Sequence, residues 1–511
     1  MTIAQTTHGP VEGFQQDALH VFKGIPYAAP PVGNRRWLPP APHTPWSETR
    51  ATKEFGPAAP QTPLAALEFL AAFDVGSKID EDCLTLNVWT PGLDEARRPV
   101  LVWIHGGAFV IGAGSQTIYD GASLAAKGDV VVVTVNYRLG ALGFLNLREV
   151  TQGRIPASGN EGLLDQSAAL AWVRDNIERF GGDPRNVTLF GESAGGMSTG
   201  CHLAMPDSRG LFHKAIPQSG ACHTANTRER AIRVSRHFLE TLGVDARDLE
   251  TLLNMPFERL LEAQAAMTDA NNIDPELGGM PFQPCVDGSV LAQTPIEAVR
   301  AGHAANVPVL VGSTLDEWKL LAPSDPTLLT LDAEGLAERL AMNVGEAAPR
   351  ITQTYSKALQ ERGVDPTPTQ IFIAAETDRV FRMPALELAE AQREQNTPAY
   401  NYLFTWDSPA LGGLLGSCHA LELAFVFGTI ESSGGRDFSG SGPQCDALEA
   451  AIQDSWIAFA RSGDPSTPAL GKWPVYGEAR ETMILGASSG LSKAPFESER
   501  AAWQGLSVGT I

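Results

Sequence analysis

Five runs of nearly uninterrupted apolar residues recur along the chain: PVLVWIHGG (99–107), DVVVVTVNY (129–137), NVTLFGES (186–193), VPVLVGST (307–314) and NTPAYNYLFTW (396–406). Runs of strand length without polar alternation predict strands covered on both faces, as in a mostly parallel sheet. Between them the apolar spacing changes to a helical period. In LLDQSAALAWVRDNIERFGG (163–182), Leu163, Leu164, Ala168, Ala171, Trp172 and Ile177 fall near one stripe, and Gly181-Gly182 supplies the stop. TRERAIRVSRHFLETLG (227–243) follows the same pattern. Strand–helix–strand alternation predicts the α/β class, with loops that carry chemistry at the carboxyl ends of the strands. Ahead of this region lies a Pro- and Gly-rich stretch with short strand-like pieces such as CLTLNVW (83–89). The Pro/Gly-rich segment 407–443 reads as an excursion that shapes a site, because apolar segments continue on both sides. With no repeat and no low-complexity tract, residues 1–511 are expected to form one domain.

Two of the predicted strands end in patterns that suggest chemistry. The third runs into Gly191-Glu192-Ser193-Ala194-Gly195. A serine between two glycines, after a strand and before a helix, predicts a nucleophile elbow: a turn so sharp that side chains two residues either side of the serine would collide. The serine is held in a strained backbone region that exposes its hydroxyl, and the N-terminus of the next helix faces it. A tight turn built of small residues is the plainer alternative, since such pentamers are common. The first strand ends in His105-Gly106-Gly107-Ala108. Here small residues let the main chain approach a reacting carbonyl, and the N–H groups of this loop together with that of Ala194 would stabilise an oxyanion. Glycines needed only for the turn are again the alternative.

A serine needs a base, and the base needs an orienting acid. The elbow architecture predicts the chain order serine, acid, histidine. Of the later histidines, His303 ends a helical segment and reads as a cap, whereas His419 is delivered by a Gly-Ser loop and backed by the apolar stretch ALELAFVFG. The fourth strand ends in Leu315-Asp316-Glu317-Trp318, and the residues alone do not choose between the two carboxylates.

Composition narrows the reading. Hydrophobic residues make up 43% and charged residues 19%, as in a globular protein. The net charge of −21 argues against nucleic acid or an anionic membrane as a partner. The N-terminus lacks a basic segment followed by an apolar one, and no apolar run is long enough to span a bilayer, so a cytoplasmic location is expected. The six cysteines are far apart and form neither C-x-x-C nor any zinc spacing; reduced, buried thiols and no metal are expected.

These blocks together resemble the type-B carboxylesterases, the family of bacterial p-nitrobenzyl esterases, animal carboxylesterases and cholinesterases. The likeness begins at FKGIPYA (22–28) and PPVGNRRW (30–37). It continues through EDCLTLNVWTP, WIHGGAF, VNYRLGALGFL, GNEGLLDQ…FGESAGG and CHALELAFVFG to WIAFARSGDPS. The resemblance implies an α/β-hydrolase fold, with a central mostly parallel sheet flanked by helices and long loop and helical excursions over the site. It implies a serine carboxylesterase without cofactor, acting on a small-molecule ester through an acyl-enzyme, as a monomer or small homo-oligomer. It assigns Ser193 as nucleophile, Glu317 as acid and His419 as base, with Gly107, Ala108 and Ala194 as oxyanion donors. Gly106, Ser219, Glu192 and His105 would be supports around them. It further implies two buried ion pairs, Arg36 with Glu81 and Arg138 with Asp165. Cys83 lacks its family partner, because Ala59 stands there. Segment 62–75 has no tryptophan of the kind that holds choline in cholinesterases, which disfavours choline esters, and Trp318 replaces a glycine common in animal members. Phe69, Phe73, Leu411, Leu414 and Leu415 are expected to line the pocket. A lipase with segment 62–75 as its lid is one alternative, and a non-catalytic scaffold of the same fold is another.

Overall fold

The structure, a computed structural model, describes residues 2–62, 71–268, 276–432 and 434–509. Fourteen strands occur among them: β1 (Ile3–Gln5), β2 (Pro10–Glu12), β3 (Phe14–Gln16), β4 (Leu19–Pro26), β5 (Arg50–Ala51), β6 (Thr85–Thr90), β7 (Arg98–Ile104), β8 (Val131–Val135), β9 (Gly182–Glu192), β10 (Lys214–Gln218), β11 (Val309–Thr314), β12 (Ala399–Phe404), β13 (Glu481–Leu485) and β14 (Gly490–Lys493). Strands β1, β2 and β5 make a small sheet. The other eleven form one large sheet in the order β14-β13-β12-β11-β10-β9-β7-β8-β6-β4-β3. From β13 to β8 every neighbouring pair is parallel, whereas β6, β4, β3 and β14 add antiparallel edges.

All five expected strands of the apolar runs are present. Both faces of the sheet are covered, so successive residues of one strand enter different cores. Val100, Val102 and Ile104 of β7 join Val131, Val133, Leu189, Ala215 and Val309 on one side. Leu101 and Trp103 join Val132, Phe190, Ile216, Leu310 and Phe404 on the other. This two-sided burial is why the runs show no polar alternation. Strand β10 was not among the expected strands. Its sequence KAIPQ holds a lysine and a proline, yet all five residues are buried between β9 and β11.

The helix expected over 163–182 is an α-helix at Glu161–Asn176, a 3₁₀ turn at Ile177–Phe180 and a left-handed Gly181. The second expected helix spans Arg228–Leu242, with Thr227 as its N-cap and left-handed Gly243 at its end. Between β11 and β12 the chain makes a helical excursion that includes helices Ala333–Val344, Ala348–Glu361, Pro368–Thr377 and Met383–Glu394. Both expected ion pairs form. Arg36 grips Glu81, with Nε 2.7 Å from Oε2, and Arg138 binds Asp165 through Nε and Nη2 at 2.7 Å each. All six cysteines are buried and unpaired.

Candidate active site

Strand β9 ends at Glu192, and helix Ala194–Ala204 starts two residues later. Ser193 joins them at φ 56°, ψ −125°, a strained conformation for a residue with a side chain. The glycines explain how the turn closes. A Cβ on Gly191 would lie 2.5 Å from the carbonyl of Gly195, and one on Gly195 would lie 2.0 Å from Ile104 O. The Ser193 N–H donates to Gln218 O of β10 at 2.9 Å, which ties the turn to the neighbouring strand. Ala194, as the first helical residue, keeps an N–H with no intrahelical acceptor.

The loop after β7 folds against this turn. Gly107, Ala108 and Phe109 all have positive φ, at 111°, 52° and 62°. Among the described residues the N–H groups of Gly107 and Ala108 meet no acceptor. Gly106 packs so closely that a Cβ there would be 3.0 Å from Ser193 Cβ and 2.7 Å from Glu192 O. Loop and elbow therefore meet at one edge of the sheet, as expected. Burial holds His105 down to about 4, so its ring is neutral; it stacks on Tyr137 at 4.4 Å, and the Tyr137 hydroxyl donates to His105 O.

The structure chooses between the adjacent carboxylates. Glu317 is fully buried; its Oε1 accepts from Thr314 N at 2.7 Å, and its Oε2 lies 2.5 Å from Nδ1 of His419. Asp316 turns away to Lys319 and takes the Ser417 N–H, while its own N–H donates to Ser417 O. It thus pins the loop that delivers the imidazole. Ser417 adds a third tie by donating its hydroxyl to Phe404 O of β12.

The opposite nitrogen, Nε2 of His419, lies 3.0 Å from Glu192 Oε1, outside hydrogen-bond alignment. Ser193, half-buried at the same turn, has no side-chain hydrogen bond among the described residues. Glu422, three residues beyond the histidine across a turn in which Ala420 has φ 65°, is 1% exposed and accepts from Gln218 Nε2 at 3.2 Å; Gln218 in turn accepts from Trp456 Nε1. Burial depresses His419, but Glu192 and Glu317 outweigh it and raise the imidazole to about 9. Burial pushes Glu192 up to about 8 and Glu422 to about 7.

Sequence reasoning missed Glu422, Gln218 and Phe381. Phe381 lies in a π-helical turn, Asp378–Arg382, and sets its ring 4.9 Å from that of His419. Glu422 stands three residues after His419 in CHALE, but Ala420 between them turns at φ 65°, so no helical spacing marks the pair. Nothing local marks Phe381. Ser219, directly after β10, has φ 43°, and its buried hydroxyl has no partner among the described residues. His303 caps, as expected, through its N–H, which donates to Ala298 O at the end of helix Pro295–Arg300, and its Nδ1 lies 3.1 Å from Ala204 O at the end of helix Ala194–Ala204. Of the expected pocket residues, Leu415 is in the core and Phe73 packs on Phe438, but Leu411 and Leu414 are exposed. Phe69 and most of segment 62–75 lie outside the described residues. Among the described residues no cluster of His, Cys, Asp or Glu side chains could hold a metal ion, and no helix is long and apolar enough to cross a membrane.

The carboxylesterase family matches over residues 1–503. The para-nitrobenzyl esterase of Bacillus subtilis is 40% identical over 98% of this chain and 97% of its own. The phenmedipham hydrolase of Pseudarthrobacter oxydans is 34% identical over 93% of this chain and 92% of its own. A carboxylesterase crystal structure from Geobacillus stearothermophilus superposes with a TM-score of 0.89 at 39% identity, covering 99% of this chain and all of that one. The chain belongs to the carboxylesterase family and is a carboxylic ester hydrolase of the α/β-hydrolase fold.

Proposed function

We propose that Ser193, His419 and Glu317 form the catalytic triad of this esterase, with the N–H groups of Gly107, Ala108 and Ala194 as its oxyanion hole. The observation that carries the reading is the Glu317–His419 hydrogen bond at 2.5 Å, on an imidazole whose other nitrogen lies 3.0 Å from Glu192, the residue directly before the strained Ser193. His419 takes the Ser193 proton through Nε2 as the hydroxyl oxygen attacks the ester carbonyl. Glu317 holds Nδ1–H and stabilises the imidazolium. The negative charge on the carbonyl oxygen meets three main-chain donors, and losing one such donor costs about 3–4 kcal/mol in comparable sites. The tetrahedral intermediate collapses as His419 protonates the leaving alcohol. Water then repeats the sequence on the acyl-enzyme and releases the acid.

The substrate is a small ester, and the name of the Bacillus relative supports a benzylic alcohol portion as the probe of choice. Hydrolysis of a p-nitrobenzyl ester and of a p-nitrophenyl acyl series, by wild type and Ser193→Ala, tests the assignment. The variant is expected to lose at least about 10⁴-fold in kcat and all covalent labelling by a fluorophosphonate. Equal rates in the two proteins overturn it.

A further inference from the structure

Glu192 is a charged residue where the elbow needs none. The turn requires small residues at Gly191 and Gly195 and a nucleophile at Ser193, yet the position between carries a carboxyl that is 2% exposed. Among the described residues no arginine or lysine balances it. Around it stand Glu317 from the end of β11, Glu422 and His419 from the loop after β12, and the buried phenols of Tyr119 and Tyr402. Three carboxylates and one imidazole share one dry region. With every group ionised the region would hold two uncompensated negative charges, a state burial strongly disfavours. A proton must therefore reside on a carboxyl as well as, or instead of, on the ring. Glu192 Oε1, 3.0 Å from Nε2, is the carboxyl oxygen next to the atom that must be free to act as base.

We propose that Glu192 is a positioning residue that exchanges one proton with His419: the Nε2 proton of the imidazolium passes to Glu192 Oε1, leaving a neutral carboxylic acid and an imidazole whose Nε2 lone pair is available to the Ser193 hydroxyl. No proton enters or leaves the site in this step. The N–H bond at Nε2 breaks, an O–H bond forms on Glu192, and Glu317 keeps Nδ1–H throughout. At 3.0 Å a small rotation of ring or carboxyl brings Nε2–H into line with Oε1 for the transfer, while the unaligned resting geometry keeps Nε2 out of a fixed hydrogen bond that would compete with Ser193. Glu422, held only through Oε1, tunes the exchange by repelling a second negative charge in the cluster.

The inference rests on the triad reading, and its test has one arm that does not. Two groups sharing a proton titrate as a pair. Wild-type kcat/KM is therefore expected to rise with pH in two protonation steps and to go on rising above pH 8. In Glu192→Gln the ring loses an anion that stabilises its charged form. Its acid limb should collapse to a single step with the midpoint at least about one pH unit lower. Glu192→Asp should keep the two steps. A limb in Glu192→Gln with the wild-type midpoint and slope overturns the proposal, whatever the absolute rate. The independent arm is ¹⁵N NMR of His419 in resting protein. In wild type the Nε2 shift is expected to move in two steps between pH 6 and 10, and in Ser193→Ala likewise. A one-step titration in both overturns the proposal without reference to activity. Undiminished hydrolysis by Ser193→Ala with the two-step NMR titration intact would instead reject the triad reading alone.

Discussion

The molecule buries charge in two contrasting ways. Just past the end of β8, Arg138 and Asp165 are matched atom for atom: two guanidinium nitrogens meet two carboxylate oxygens, a third donates to Leu38 O, and the Arg138 main-chain N–H donates to Asp165 as well. Their side chains are 3% and 0% exposed. Around His419, three carboxyls face one imidazole, and Glu192 Oε1 and Glu422 Oε2 have no aligned partner. The first arrangement has a single protonation state that satisfies it, so it serves only to hold the chain. The second has several of similar energy, so a proton can move within it near neutral pH. Mismatch, costly for folding, is what lets the site do acid–base work.

Breaking each region should therefore damage different properties. Glu317→Gln keeps the shape but removes the charge that holds and stabilises the ring, and kcat is expected to fall by about 10⁴-fold with little change in the urea midpoint. Asp316→Asn, which retains an acceptor for Ser417 N, should lose less than about tenfold, and steady-state kinetics on the two variants settles the roles. Asp165→Leu leaves Arg138 buried without its counter-charge. Urea unfolding should show about 3–5 kcal/mol lost, while the surviving folded enzyme keeps its kcat; adding Arg138→Met should restore much of the loss. Glu178→Ala sharpens the contrast from the other side. It removes an ion pair to Arg97 whose side chains are half exposed, and less than about 0.5 kcal/mol should change.

Much of the sheet was legible because two-sided burial writes itself as unbroken apolar runs, as in VVVTV of β8. Strand β10 escaped because a buried lysine and proline hide it, although its Gln218 carbonyl anchors Ser193. The elbow was readable from Gly191 and Gly195, whose absent side chains are a local steric demand. The choice of Glu317 over Asp316 was not readable from the residues, since it depends on which oxygen Thr314 N captures after folding. Glu422 and Phe381 were invisible for the same reason: the bond of Glu422 to Gln218 and the contact of Phe381 with the imidazole exist only when β10, the loop after β12 and the π-helical turn are assembled. The expectation that Leu411 and Leu414 face a pocket failed because Leu411 to Gly413 turn with positive φ and present those leucines outward.

The serine is tied to β10 through Gln218 O, the glutamate to β11 through Thr314 N, and the histidine loop to β12 through Phe404 O. The rungs of one ladder thus act as its ruler, and neighbouring rungs stand about 4.8 Å apart in any such sheet. Heat cannot loosen this machinery piecemeal: the instrument keeps its calibration until the ladder itself comes apart, and then loses it at once.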